Sequence, residues 1–141
     1  MTGIKLSKLP DRTPVRLTVT DPNLPANWDG RTIAFFSDAH VGASFDSRRL
    51  NRVTEAVNRL SPDLILFGGD MIDHRTPTDD AFLVTISDCL ARMRAPLGKY
   101  AIRGNHDNRL RAELKMAEKV LADGGFQMLV NQSAEIDGIL L

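Results

Sequence analysis

Three short clusters carry the chemistry this sequence can offer. Asp38 and His40 close the apolar run at 33–36. Asp70 and Asp73 follow the apolar stretch "DLILF" at 63–67. Asn105, His106 and Asp107 end the segment "KYAIRGNHD" at 99–107. Carboxylate, imidazole and amide oxygen, with no thiolate, are donors suited to Mn, Fe, Zn or Co ions rather than to a structural zinc knot. In extended chain, residues two apart project to one side, so Asp38 and His40 are expected to grip one ion together. Asp70 has two oxygens on the middle segment, where it can bridge two ions about 4 Å apart. Asn105 supplies a neutral oxygen, which limits excess negative charge where a phosphate must also bind. His106 can reach a substrate, with Asp73 orienting its ring.

Each residue also has a plainer role. A lone Asp after a strand usually caps a turn or a helix. Three such clusters at successive strand ends are better explained as one site. Among Arg48, Arg49, Arg75 and Arg103, all near the clusters, Arg103 is the candidate for holding a substrate phosphate and the others read as solvated. His74 reads as a surface neighbour of Asp73, and Cys89 as an inert core thiol.

The elements that must position these groups alternate along the chain. A buried strand at 33–36 is followed by a helix at 46–60, with Leu50, Val53, Val57 and Leu60 on one face and Asp46 or Ser47 as N-cap. The apolar run at 63–67 predicts a strand covered on both faces. Thr78, Asp79 and Asp80 open a second helix whose stripe is Phe82, Ile86, Leu90 and Met93. A third strand runs through 99–107. A third helix is expected at 109–123, with Leu110, Leu114, Ala117 and Leu121 inward and Gly124-Gly125 at its end. The segment 126–136 reads as a last strand. Alternating strands and helices predict an α/β fold built from βαβαβ units with a mostly parallel sheet, whose carboxyl edge gathers the three clusters.

The first thirty residues read as a separate N-terminal piece, an edge strand at 15–20 and a loop ending at Asp29-Gly30, with Trp28 packed on the main domain at 31–141. With 141 residues the chain can bury one core. Lys plus Arg and Asp plus Glu number 18 each, so nothing global points to nucleic acid or an acidic membrane, and any phosphate recognition must be local. One cysteine excludes an intrachain disulfide. With no apolar run of membrane-spanning length and no signal-peptide core, the expected location is cytoplasmic or membrane-peripheral.

The segments "DAH", "GDMID" and "GNHD", in this order and at these strand ends, resemble the first three motifs of the calcineurin-like metallophosphoesterases. The lead-in "LPANWDGRTIAFFSDAHVG" resembles a bacterial phosphohydrolase subgroup of that family. The resemblance implies a four-layer α/β/β/α sandwich of which this chain is the N-terminal half, and a centre of two divalent ions that hydrolyses phosphomonoesters or phosphodiesters with a metal-activated hydroxide. It implies Asp38, His40, Asp70 and Asn105 as metal ligands, Asn105, His106 and Arg103 toward the substrate, and His106 with Asp73 in catalysis.

The later histidine motifs of the family are absent. Three ligands remain for a first ion (Asp38, His40, Asp70) and two for a second (Asp70, Asn105), so one ion and impaired activity are expected. Asp137-Gly138 signals a hairpin turn, yet only three residues follow it. The expectation is a truncated product or fragment, its sheet completed by a missing C-terminal half or by another copy. The alternative class is a non-catalytic metal-binding or protein-interaction module of the same fold.

Overall fold

The computed structural model describes residues 14–42 and 45–141, together with the backbone of 2–6. It contains strands β1 (Thr2–Leu6), β2 (Val15–Thr18), β3 (Thr32–Phe36), β4 (Leu64–Phe67), β5 (Lys99–Ala101), β6 (Gln127–Met128), β7 (Glu135–Ile136) and β8 (Ile139–Leu140). The helices are α1 (Ser47–Arg59), α2 (Asp80–Ala91) and α3 (Arg111–Asp123), with a 3-10 turn at Ala26–Trp28. Six strands form one sheet in the order β2-β1-β3-β4-β5-β6. All are parallel except β2, which runs antiparallel to β1 at the edge. The chain is therefore α/β, as its alternation predicts.

Local sequence explains the helix boundaries. The Asp46 carboxylate accepts the Arg49 N–H and starts α1, and Asp79 does the same for α2 through Phe82. Because β3, β4, β5 and β6 follow one another across the sheet, crossovers of one hand lay all three helices on the same face. There Ala34, Phe36, Ile65, Phe67 and Ala101 of the strands meet Leu50 and Val57 of α1, Ile86 and Leu90 of α2, and Ala117 and Leu121 of α3. Lys99 joins two helix ends: its ammonium donates to the carbonyls of Leu90 and Gly124.

Among the described residues, the opposite face is covered only in part. Trp28, Leu64 and Ile136 form a second small core there, flanked by Ile33, Leu66 and Tyr100. The lid of this core is the β7–β8 hairpin, whose turn residues Asp137 and Gly138 both have positive φ (49° and 86°), as the tight primed turn demands. Asp137 O accepts hydrogen bonds from Trp28 Nε1 at 3.0 Å and Asn27 Nδ2 at 3.1 Å. The packing expected for Trp28 is therefore observed. Beyond the hairpin, an apolar hollow of about 240 Å³ lies open between Phe35, Leu66, Tyr100, Ile102, Leu129 and Leu141. By register, Val15 of β2 lies on the same face as Phe35, Leu66 and Tyr100, and it is exposed. The layers described are thus helices, sheet and hairpin; no second helical layer occurs among the described residues.

Several details differ from expectation. β1 was not foreseen: "TGIKL" has few strand-forming residues, and its stability comes from pairing on both sides. The single strand expected at 126–136 is two strands in different sheets, separated at Asn131, whose φ is 52°. β5 ends at Ala101, so the third cluster lies on a loop. Leu110, expected inward on the third helix, is 58% exposed because α3 begins only at Arg111. The apolar terminus expected as half a hairpin closes as a complete two-stranded one, Ile136 facing Ile139. Among the described residues, no helix is long and apolar enough to cross a membrane.

Candidate metal centre

β3, β4 and β5 all deliver their carboxyl ends to one rim, and the loops that leave them are stitched together by main-chain bonds. Asp38 N donates to Gly69 O, His40 N to Asp70 O and Val41 N to Met71 O, at 2.8–3.0 Å. Asp38, His40 and Asp70 all sit in the left-handed backbone region, with φ of 58°, 43° and 62°. Apart from Gly, few residues rest there, Asn, Asp and His most often, and such residues gather at functional sites. The expectation that Asp38 and His40 share a side through extended chain is therefore corrected: β3 ends at Phe36, and left-handed backbone at both residues aims the two groups.

His40 Nε2 lies 3.8 Å from Asp38 Oδ1 and 3.8 Å from Asp70 Oδ2. That is too long for a hydrogen bond. It suits two ligands of one ion, because donors about 2.1 Å from a shared cation lie at most about 4.2 Å apart. One donor atom each from His40, Asp70 and His106 falls within 4.8 Å of the others, and the two imidazoles meet edge to face with centroids 4.7 Å apart. His40 Nδ1 and His106 Nδ1 are buried with no hydrogen-bond partner among the described residues. Two carboxylates and two imidazoles are a donor set that fits a divalent cation.

Neighbouring groups fix the carboxylates. Ser37 Oγ donates to Asp38 Oδ2 at 2.7 Å, and His106 N donates to Asp70 Oδ1 at 2.8 Å, while the other Asp70 oxygen faces His40. Two glycines permit the close approach: a Cβ on Gly69, whose φ is 92°, would lie 2.4 Å from Gly104 N, and one on Gly104 would lie 2.0 Å from Asp70 Oδ1. Asp73 is buried on a turn held by Thr76, whose hydroxyl accepts from Asp73 N and donates to Val41 O. Burial opposes the charge on Asp73. The Arg75 N–H, the Arg75 guanidinium and His40 outweigh it and hold the carboxyl below its usual range.

The structure thus brings together Asp38, His40, Asp70 and His106, the last as a possible ion donor where the sequence suggested a substrate contact. Asp73 Oδ2 lies 3.9 Å from His40 Nδ1, with no hydrogen bond to His106 among the described residues. Asn105 is exposed on the loop after β5. Arg103 is held by Glu118 of α3 through Nε and Nη2, at 3.1 and 2.5 Å. Sequence reasoning missed Ser37, for which no signal exists, and gave Asp107 no role of its own.

A family model for the calcineurin-like phosphoesterase matches residues 31–139. The chain is 37% identical over 91 residues to the metallophosphoesterase YkuE of Bacillus subtilis (strain 168), covering 64% of this chain and 31% of that protein. It is 29% identical over 113 residues to a transmembrane protein with a metallophosphoesterase domain of Danio rerio, covering 80% of this chain and 25% of the other. It is 34% identical over 96 residues to the UDP-2,3-diacylglucosamine pyrophosphatase LpxG of Chlamydia muridarum (strain MoPn / Nigg), covering 66% and 28%. The chain thus matches about a third or less of the length of these relatives. No solved structure matches it.

Proposed function

The chain belongs to the calcineurin-like phosphoesterase family, and from that premise we propose that it carries the centre of a metal-dependent phosphoesterase. The observation that carries the reading is the position of His40 Nε2, 3.8 Å from one oxygen each of Asp38 and Asp70. Asp38, His40 and Asp70 would hold one divalent ion such as Mn²⁺, with His106 beside them. A second ion would have only Asp70 and Asn105 in this chain, so one ion is expected per chain and the activity of the chain alone is expected to be low.

When bound, the cation would polarise a phosphoryl oxygen and make water a competent nucleophile near neutral pH. The residues do the rest. Asp70 and Asp38 set the charge of the site. His106 lies beside the site, where its imidazole can hold or deliver a proton to a leaving oxygen. Asn105, exposed on the loop after β5, would meet a substrate from solvent. Arg103 would have to release Glu118 before it could reach a phosphate.

Hydrolysis of a chromogenic phosphomonoester and phosphodiester with Mn²⁺, run on the chain and on Asp70→Asn, tests this reading. Mn²⁺-dependent turnover lost in Asp70→Asn supports it, and equal rates would end the catalytic claim. Mn²⁺ binding without turnover of either ester would favour the non-catalytic module.

A further inference from the structure

The loop after β5 contains a carboxylate that reaches neither solvent nor the candidate ion. Asp107 is 1% exposed. Its Oδ2 accepts the N–H of Asp70 at 2.7 Å and of Gly104 at 3.0 Å, and its Oδ1 accepts the N–H of Ile72 at 3.1 Å. Charge-assisted bonds of this kind are about twice as strong as neutral ones. A buried carboxylate would be costly without them.

These bonds grip the chain on both sides of the donors. The N–H of Asp70 is pinned, while the Asp70 side chain receives His106 N. Asp70 and the 104–107 turn therefore lock each other through two reciprocal carboxylate–amide contacts. The segment 70–72 passes the constraint onward, because the carbonyls of Asp70 and Met71 accept the N–H groups of His40 and Val41. One carboxylate thus ties the β4 and β5 loops directly and the β3 loop at one remove.

We propose that Asp107 is the positioning residue of the metal centre: by holding the amides of Asp70, Ile72 and Gly104 it keeps Asp70 in its left-handed conformation with one oxygen turned toward His40. The proposal rests on the metal-centre reading above. It accounts for three residues holding left-handed backbone on neighbouring loops. An Asn at 107 has one acceptor oxygen for three N–H donors on two sides, so its amide group must face at least one N–H.

The test compares Mn²⁺ affinity, followed by the electron paramagnetic resonance signal of free Mn²⁺, in the unaltered chain, Asp107→Asn and Ile136→Ala. Ile136 lies in the remote hairpin core and serves as a control for general destabilisation. Asp107→Asn is expected to keep its circular dichroism spectrum and to bind Mn²⁺ about 10- to 100-fold more weakly. Ile136→Ala is expected to lower the thermal midpoint and keep its affinity within about twofold. An unchanged affinity in folded Asp107→Asn, beside clear binding by the unaltered chain, overturns the role of Asp107 and leaves the metal centre standing. If the unaltered chain binds no Mn²⁺, the metal-centre reading falls and takes this one with it. Should Asp107→Asn fail to fold, amide exchange in the unaltered chain decides: Asp70, Ile72 and Gly104 must exchange much more slowly than the amides of exposed His74 and Asn108, and equal rates overturn the proposal.

Discussion

The two ends of the same sheet are built to opposite rules. At the amino end of β3 and β4, groups are matched. Asp63 accepts Thr32 N–H at 2.8 Å and Arg31 Nη1 at 2.7 Å. Trp28 is buried with its indole N–H bonded to the hairpin. At the carboxyl end, three residues occupy left-handed backbone, two imidazole nitrogens are buried with no partner among the described residues, and carboxylates approach an imidazole without bonding to it. Polar groups are satisfied at the amino end and, through Asp107, in the frame of the rim as well. The capacity to bind is concentrated where they are held apart, because a cation can then replace missing partners that the protein withholds.

The sharpest way to break this comparison is Asp70→Asn. Activity with Mn²⁺ is expected to fall roughly 10³-fold, about 4 kcal/mol in the barrier, while the thermal midpoint holds or rises; a matched loss of both would mean that this end is structural too. Trp28→Ala should do the reverse. Urea unfolding is expected to show a loss of about 3–5 kcal/mol, with Mn²⁺ affinity retained in the folded fraction. Gly104→Ala probes the boundary between the two. Its Cβ would press on Asp70 Oδ1 and N, so calorimetric titration should show Mn²⁺ binding lost for a stability loss of only about 1–3 kcal/mol.

Smaller effects sharpen the matched end. Burial alone would raise the Asp63 carboxyl, but the Thr32 N–H and Arg31 prevail and lower it. A lowered folded-state value means stability that is present above the unfolded pKa and is lost as pH falls through the folded one. Thermal midpoints from pH 6 down through about 4 should therefore drop less in Asp63→Asn than in the parent. Arg48→Ala is the smallest change: its side chain is 89% exposed beside Asp46, and the expected shift in the unfolding midpoint corresponds to at most about 0.5 kcal/mol.

The sequence announces much of this arrangement. The apolar run ending at Phe67 and the Asp46 and Asp79 caps are local signals, and local physics decides those elements. The clusters at 38–40, 70–73 and 105–107 were legible because parallel topology sends successive strands to one rim. β1 was not legible, since its pairing with β2 and β3 is long-range and its own residues favour no strand. Nor was the manner in which Asp38 and His40 meet: positive φ at an Asp and a His is imposed by contacts from the β4 loop, which no periodicity reveals. Leu110 shows the same limit at smaller scale, where a helix start displaced by two residues turned an inward side chain out.

The bond between Trp28 and Asp137 spans 109 positions along the chain, and it dictates a timetable. The βαβ units can assemble from neighbours as they leave the ribosome, yet Trp28 and Leu64 have no roof until the hairpin has been translated. Closing so wide a loop is slow compared with helix formation. During that interval one face of the half-formed sheet is an uncovered apolar surface, open to non-native association.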